Sequence, residues 1–183
     1  MAAGTDRDNE MDRARPRGPR ALLFGIVPAL LLILAVPGSA TAPSEAFRSR
    51  VTHVSDGDTA YMTNLAYGTT AASWPGRKAR FIGIDTPEVY GEAECYGKKA
   101  SNFTKRKLEG ASIKVTYDIE KEDPYDRALV YIWRKGRLFN AVLVRRGFAT
   151  VSIDEPNDRY EPRLLRAERE AREAGRGLWG TCY

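Results

Sequence analysis

One histidine, His53, and two cysteines, Cys95 and Cys182, are all the nitrogen and sulfur ligands that 183 residues offer. A structural zinc site takes about four such ligands and a catalytic one about three, so zinc chemistry is excluded, as is any mechanism needing a second histidine. Long apolar runs are equally scarce. The one continuous stretch, residues 21–36 (ALLFGIVPALLLILAV), is interrupted by Pro28 and is short for a helix crossing about 30 Å of hydrocarbon. Internal repeats and low-complexity tracts are absent, which rules out solenoid and array architectures.

What is present begins with that run. It follows a segment of five arginines and four acids and precedes Pro37-Gly38-Ser39-Ala40-Thr41-Ala42. A basic region, a short apolar core and small residues at alternate positions describe a secretory signal peptide over 1–42, the alternative being an uncleaved membrane anchor. Cleavage after Ala40 fits better than after Ala42, which would leave Pro43 first. Residues 43–47 then read as a linker and 48–183 as one domain of ordinary size. The whole chain carries 29 basic and 24 acidic side chains for a net charge of +5. Removing the leader leaves +4, so the basic balance belongs to the domain and favours a polyanionic partner. Export would also put both cysteines in an oxidising compartment, where they read as one disulfide, the alternative being two buried thiols.

Along the domain, Arg48–Val54 and Thr59–Leu65 are β-rich and flank Ser55-Asp56-Gly57-Asp58, a tight-turn composition that makes a hairpin. Ala66–Arg77 reads as an exposed loop, and Lys78–Ile84 as a third strand stopped by Asp85-Thr86-Pro87. Helical spacing over Tyr96–Leu108 places Ala100, Phe103, Thr104 and Leu108 on one face. Ser112–Ile119 alternates, with Ile113, Val115, Tyr117 and Ile119 on one side. Ala128–Arg134 is a further strand with Leu129, Tyr131 and Trp133 together. Leu138–Arg146 and Glu161–Ala174 are helices, the latter with Leu164, Ala167 (or Leu165) and Ala171 inward. Three strands, a helix, two strands and then helices is the element order of an α+β protein built on an OB-fold, a five-stranded Greek-key barrel with about three helices.

Three polar motifs are spaced along these elements: Asp56-Gly57-Asp58-Thr59, then Arg80-Phe81-Ile82-Gly83-Ile84-Asp85-Thr86-Pro87-Glu88, then Asp123-Pro124-Tyr125-Asp126-Arg127 before Leu129-Val130-Tyr131. Together with Tyr96-Gly97 they resemble the thermonuclease (staphylococcal-nuclease-like) family from about Val51 to Trp179. The resemblance implies a secreted hydrolase, a monomer without an obligate protein partner, that cuts phosphodiester bonds in DNA and RNA with Ca²⁺ as cofactor. Asp58, Asp85 and the Thr86 carbonyl would hold the ion, and Asp56 would orient water around it. Arg80 and Arg127 would clamp the phosphate, Glu88 would act as general base or position the attacking water, and Tyr125 would stack on a base.

These residue types suit that chemistry on independent grounds. A phosphodiester under attack gathers charge on its non-bridging oxygens, which fixed cations stabilise, and arginine forks match them in two-point geometry. All-oxygen ligation suits Ca²⁺ or Mg²⁺ rather than softer ions. Departures are specific. Asp126 stands where the family usually has glycine, Pro124 replaces a common lysine, and Ser152-Ile153-Asp154-Glu155 occupies the stretch where nucleotide-stacking tyrosines would lie. A competing function class is a catalytically inactive OB-fold module that only binds nucleic acid, although such modules typically lose the acidic and arginine positions retained here.

Overall fold

The structure, a computed structural model, describes residues 41–71 and 74–183. The expected leader therefore lies outside the described residues except for Thr41 and Ala42. Nine strands and four helices follow in order: β1 (Phe47–Val54), β2 (Thr59–Met62), β3 (Thr70–Ala71), β4 (Trp74–Phe81), β5 (Ile84–Asp85), α1 (Gly97–Leu108), β6 (Ser112–Thr116), β7 (Ala128–Arg134), β8 (Arg137–Leu138), α2 (Phe139–Arg145), β9 (Thr150–Val151), α3 (Glu161–Glu173) and α4 (Leu178–Thr181).

Five of the strands close a barrel. β1 pairs antiparallel with β2 (Val54↔Ala60) and β2 with β4 (Thr59↔Arg80). β4 runs parallel to β7 (Arg80↔Leu129), β7 antiparallel to β6 (Trp133↔Lys114), and β6 returns to β1 (Lys114↔Arg48). Closure in the order β1-β2-β4-β7-β6 with one parallel pair is the five-stranded OB barrel, and closing the ring removes the exposed edges that an open sheet would leave. Val51, Val54, Phe81, Val115 and Ile132 fill the interior, all fully buried. The α1 face carrying Ala100, Phe103, Thr104 and Leu108 is buried as its spacing predicts, and so is the α3 stripe Leu164, Ala167 and Ala171. Each fully buried leucine contributes roughly 1.5–3 kcal/mol of hydrophobic stabilisation. Leu165 is the residue that α3 turns outward, 37% exposed.

The structure corrects several boundaries. Residues 66–77, expected as one loop, contain β3 and the first half of β4. Pro75 and Gly76 lower strand propensity, but the register Met62↔Arg77, an Arg77 guanidinium bond to the Gly68 carbonyl at 2.6 Å and stacking of Trp74 on His53 outweigh it. The third strand stops at Phe81, because Gly83 adopts φ +77° and breaks it before Ile84. β6 ends at Thr116 rather than Ile119: Ile119 is 66% exposed, while Asp118 turns inward to accept the Tyr131 hydroxyl at 3.2 Å. β7 is buried on both faces, with Val130 and Ile132 covered as fully as Tyr131, because one face lines the barrel interior while Tyr131 on the other packs edge-on against Tyr160, ring centroids 4.6 Å apart. The short α4 has too few residues for a helical period to show in the sequence. No helix among the described residues is long and apolar enough to cross a membrane.

Candidate active site

The turn between β1 and β2 is the first wall of the site. The Ser55 and Asp56 amides donate to the Thr59 carbonyl, and the Asp56 carboxylate accepts the Asp58 amide at 3.1 Å, a local bond that Asp makes readily in turns. Gly57 is required by crowding: a Cβ there would lie 2.5 Å from the Thr86 hydroxyl oxygen. That close approach lets the turn and the 84–86 segment share side chains. Thr104 on α1 donates to the Gly57 carbonyl at 2.7 Å, and Tyr90 to the Ser55 carbonyl at 2.9 Å, so the helix and the loop leading into it both pin the turn. At the other end of that loop, a Cβ on Gly97 would sit 2.3 Å from the Glu88 carbonyl oxygen, so α1 begins directly against the Pro87-Glu88 backbone.

Asp58, Arg80, Asp85 and Thr86 meet at the centre. One Asp58 oxygen accepts the Thr86 amide at 2.8 Å and the Thr86 hydroxyl at 2.9 Å; the other accepts the Thr59 hydroxyl at 3.1 Å and the Arg80 guanidinium. The second guanidinium nitrogen of Arg80 reaches Asp85 at 2.7 Å and the Ile84 carbonyl at 3.2 Å. Asp85 is held in place by the β5–β9 ladder, opposite Thr150. Solvent treats the two carboxylates differently: the Asp58 side chain is 1% exposed and that of Asp85 is 55% exposed. Burial pushes the Asp58 carboxyl up to about 6, with Arg80 pulling against it. Burial alone would lower Arg80, but Asp58 and Asp85 reverse that and hold it charged, above its ordinary value.

Arg80 also lines a cleft of about 360 Å³ with Arg127, Tyr125, Asp123, Glu120 and Asp154. Arg127 is aimed by Asp123, which takes its side-chain Nε at 2.6 Å and its amide at 2.9 Å. The Tyr125 ring lies 5.4 Å from the Arg127 guanidinium and is 77% exposed, open to a stacking partner. Asp126 sits at φ +56°, the left-handed conformation that aspartate tolerates better than most residues, so the turn survives without glycine. The missing tyrosines leave an acidic floor: Asp154 lines the cleft, while Ile153 packs against the core.

Glu88 is apart from these groups. Its side chain is exposed, its amide donates to the Glu94 carboxylate at 3.0 Å, and its own carboxylate has no hydrogen-bond partner among the described residues. Asp56 joins the cluster only through the turn bond to Asp58. His53 stacks on Trp74 with ring centroids 3.7 Å apart, a packing role away from the cluster. Cys95 and Cys182 form a disulfide across 87 residues, in a hollow shared with Asp85, Pro87 and Glu94. Sequence reasoning passed over Thr59 and Asp123, which orient Asp58 and Arg127. Their place within the polar motifs was the available signal, since an aspartate in a turn commonly accepts nearby backbone amides, as Asp123 does from Tyr125 and Arg127.

The Asp58 and Asp85 carboxylates are hard-oxygen donors that already gather one positive charge, that of Arg80, which also reaches the Ile84 carbonyl. No group of three or more histidine, cysteine or acidic side chains is placed to hold a metal among the described residues; the pair with the Thr86 carbonyl nevertheless matches the donor chemistry of Ca²⁺.

The profile of the family described as "Staphylococcal nuclease homologue" matches residues 78–181, more than half of the chain. The thermonuclease of Staphylococcus intermedius is 37% identical over 105 residues, 56% of this chain and 62% of that protein. That of Staphylococcus hyicus is 35% identical over the same shares. An SPbeta prophage-derived endonuclease of Bacillus subtilis, YokF, is 30% identical over 55% of this chain and 36% of its own length. The matched region spans only about three-fifths of the two thermonucleases.

Proposed function

The chain belongs to the staphylococcal nuclease family, and from that membership we propose that it is an exported, Ca²⁺-dependent nuclease hydrolysing phosphodiester bonds in DNA and RNA. The observation that carries this reading is the convergence of Asp58, Arg80, Asp85 and Thr86 beside a cleft shared with Arg127. The leader over 1–42 is removed on export, and the enzyme works as a monomer.

Asp58, Asp85 and the Thr86 carbonyl would hold Ca²⁺, which when bound supplies positive charge beside the scissile phosphate. Arg80 offers its fork to the non-bridging oxygens of the same phosphate. To do so it loosens its bonds to Asp58 and Asp85, which fits an arginine whose Asp85 partner is half in solvent. Arg127, aimed by two bonds from Asp123, stabilises charge at the leaving oxygen, a role in which preorganised donors count for much because no reorganisation is needed at the moment of reaction. Glu88, whose carboxylate has no hydrogen-bond partner among the described residues, is the base or anchor for the attacking water. Tyr125 stacks on a base, worth roughly 1–3 kcal/mol. The acids Asp154, Glu120 and Asp123 in the cleft oppose phosphate binding, so affinity depends on the arginines.

A binding-only module is the second reading, favoured by one observation: all four lone-pair positions of Asp58 are already engaged by protein donors. A gel assay on bulk DNA with Ca²⁺ and with chelator separates the two. Fragmentation that needs Ca²⁺ supports the nuclease; retention without fragmentation at any Ca²⁺ concentration establishes the module.

A further inference from the structure

Away from the reaction cleft, basic side chains line two adjoining grooves. The larger, about 550 Å³ with Thr41 and Ala42 of the expected leader as part of its wall, is lined by Arg48, Arg50, Lys114 and Lys135 between β1, β6 and the β7–β8 turn. The second, about 390 Å³, is lined by Lys107, Arg134, Lys135, Arg137 and Arg146 around Phe103 and Phe139. Lys135 belongs to both, so the grooves meet at the β7–β8 turn and together carry eight cations, a strip that wraps around that turn. Neither lining includes an aspartate or glutamate, and none of the eight forms an ion pair among the described residues.

Folding does not ask for this arrangement. Arg48 stands directly opposite Lys114, and Arg134 opposite Arg137. Like charges on facing strand positions destabilise a sheet, so the sheet carries two unfavourable pairs, which the register Lys114↔Trp133 puts on opposite faces at the end of β7. Lys107 has a structural reason, since a cation in the last turn favours the α1 dipole. The facing pairs on the strands have none, and a polyanion laid across them would relieve the repulsion. The strip lies toward the far end of β7 from the cleft. Arg127 immediately precedes β7 and Arg134 ends it, seven residues or roughly 23 Å of extended strand away. At about 3.4 Å per nucleotide along one strand of a helix, some seven nucleotides span that distance.

The geometry points to this strip as a second nucleic-acid site, one that holds the sugar-phosphate backbone of a long substrate while the Arg80–Arg127 cleft takes the phosphate to be cut. Contacts to phosphate alone carry no base information, so the site favours chain length, not sequence. The inference rests on the nuclease reading for its substrate class.

The test compares the full chain with a quadruple variant, Arg48→Gln, Lys114→Gln, Lys135→Gln and Arg137→Gln, all exposed positions. Binding of a fluorescent 24-residue oligothymidylate and of a thymidine dinucleotide is followed in chelator, with circular dichroism as the folding control. Four lost phosphate contacts flatten the slope of log K against log salt by about 3 for single strands. Between 50 and 200 mM salt the wild type should then lose roughly 50-fold more affinity for the long strand than the variant does. Dinucleotide binding should not change. Equal long-strand affinity and slope in both proteins overturns the site, and so does a parallel loss on the dinucleotide, which would mean a single cleft. Tighter binding of the wild type to phosphatidylglycerol vesicles than to the long strand, lost in the variant, would assign the strip to a membrane surface and likewise overturn the proposal. Cleavage with Ca²⁺ is scored separately: a protein that cuts nothing yet shows the charge-dependent binding sinks the nuclease reading and keeps the strip.

Discussion

Thr86 gives both its amide and its hydroxyl to a single carboxylate oxygen of Asp58, at 2.8 and 2.9 Å. The pair joins the β1–β2 turn to the end of the 84–86 segment, so the two acidic motifs are bonded to each other before any ligand arrives. Thr86→Val keeps the shape and the amide bond but removes the hydroxyl. A hydrogen bond to a charged group contributes about 1.5–3 kcal/mol, and the variant should lose stability of that order in urea titration while remaining folded. Unchanged stability would show that the hydroxyl is dispensable to Asp58.

The raised Asp58 carboxyl makes a signed pH prediction. Its folded value of about 6 lies above the ordinary 3.8, so between those values the folded state binds more protons than the unfolded state. Stability must then fall as pH rises from about 4 to about 6 and level off above. The check is metal-free protein in chelator, wild type against Asp58→Asn, across that range. The wild type should lose ground relative to the variant as pH rises; a difference that is flat, or that grows in the other direction, contradicts the burial argument.

Arg127→Ala and Glu88→Gln should each lower kcat by roughly 10²–10⁴, the scale for losing a charge stabiliser or a base. Asp123→Asn should have a smaller effect in the same direction, because it frees Arg127 from its aim without removing its charge. All three side chains are at least partly exposed, so circular dichroism should stay native. Wild-type rates from folded Glu88→Gln and Arg127→Ala proteins would remove both residues from the mechanism.

Reduction of Cys95–Cys182 opens a loop of 87 residues. Loop-closure arguments put the stabilisation near 4–5 kcal/mol, an amount reduced by any structure in the reduced unfolded chain. A strongly lowered Tm with cleavage retained at low temperature is the expected result. Loss of cleavage in a still-folded reduced protein would mean that the bridge shapes the hollow beside Asp85 as well as the fold.

Periodicity and turn chemistry were enough to read the hairpin, the main strands and the inward faces of α1 and α3, because each depends on neighbours within a few residues. The three polar motifs were legible for the same reason, and Asp126 behaved as aspartate does at positive φ. Tertiary structure decided the rest. Barrel closure through the parallel β4–β7 pair rests on contacts between residues nearly fifty apart, and no local pattern announces it. Trp74 and Arg77 became strand because partners across the barrel outweighed Pro75 and Gly76. Asp58 and Asp85 carry the same side chain, yet one is buried and the other half in water; only the packing of Thr86, Thr59 and Arg80 around Asp58 separates them. The facing of Arg48 on Lys114, invisible at a separation of 66 positions, was set by the register of β1 against β6.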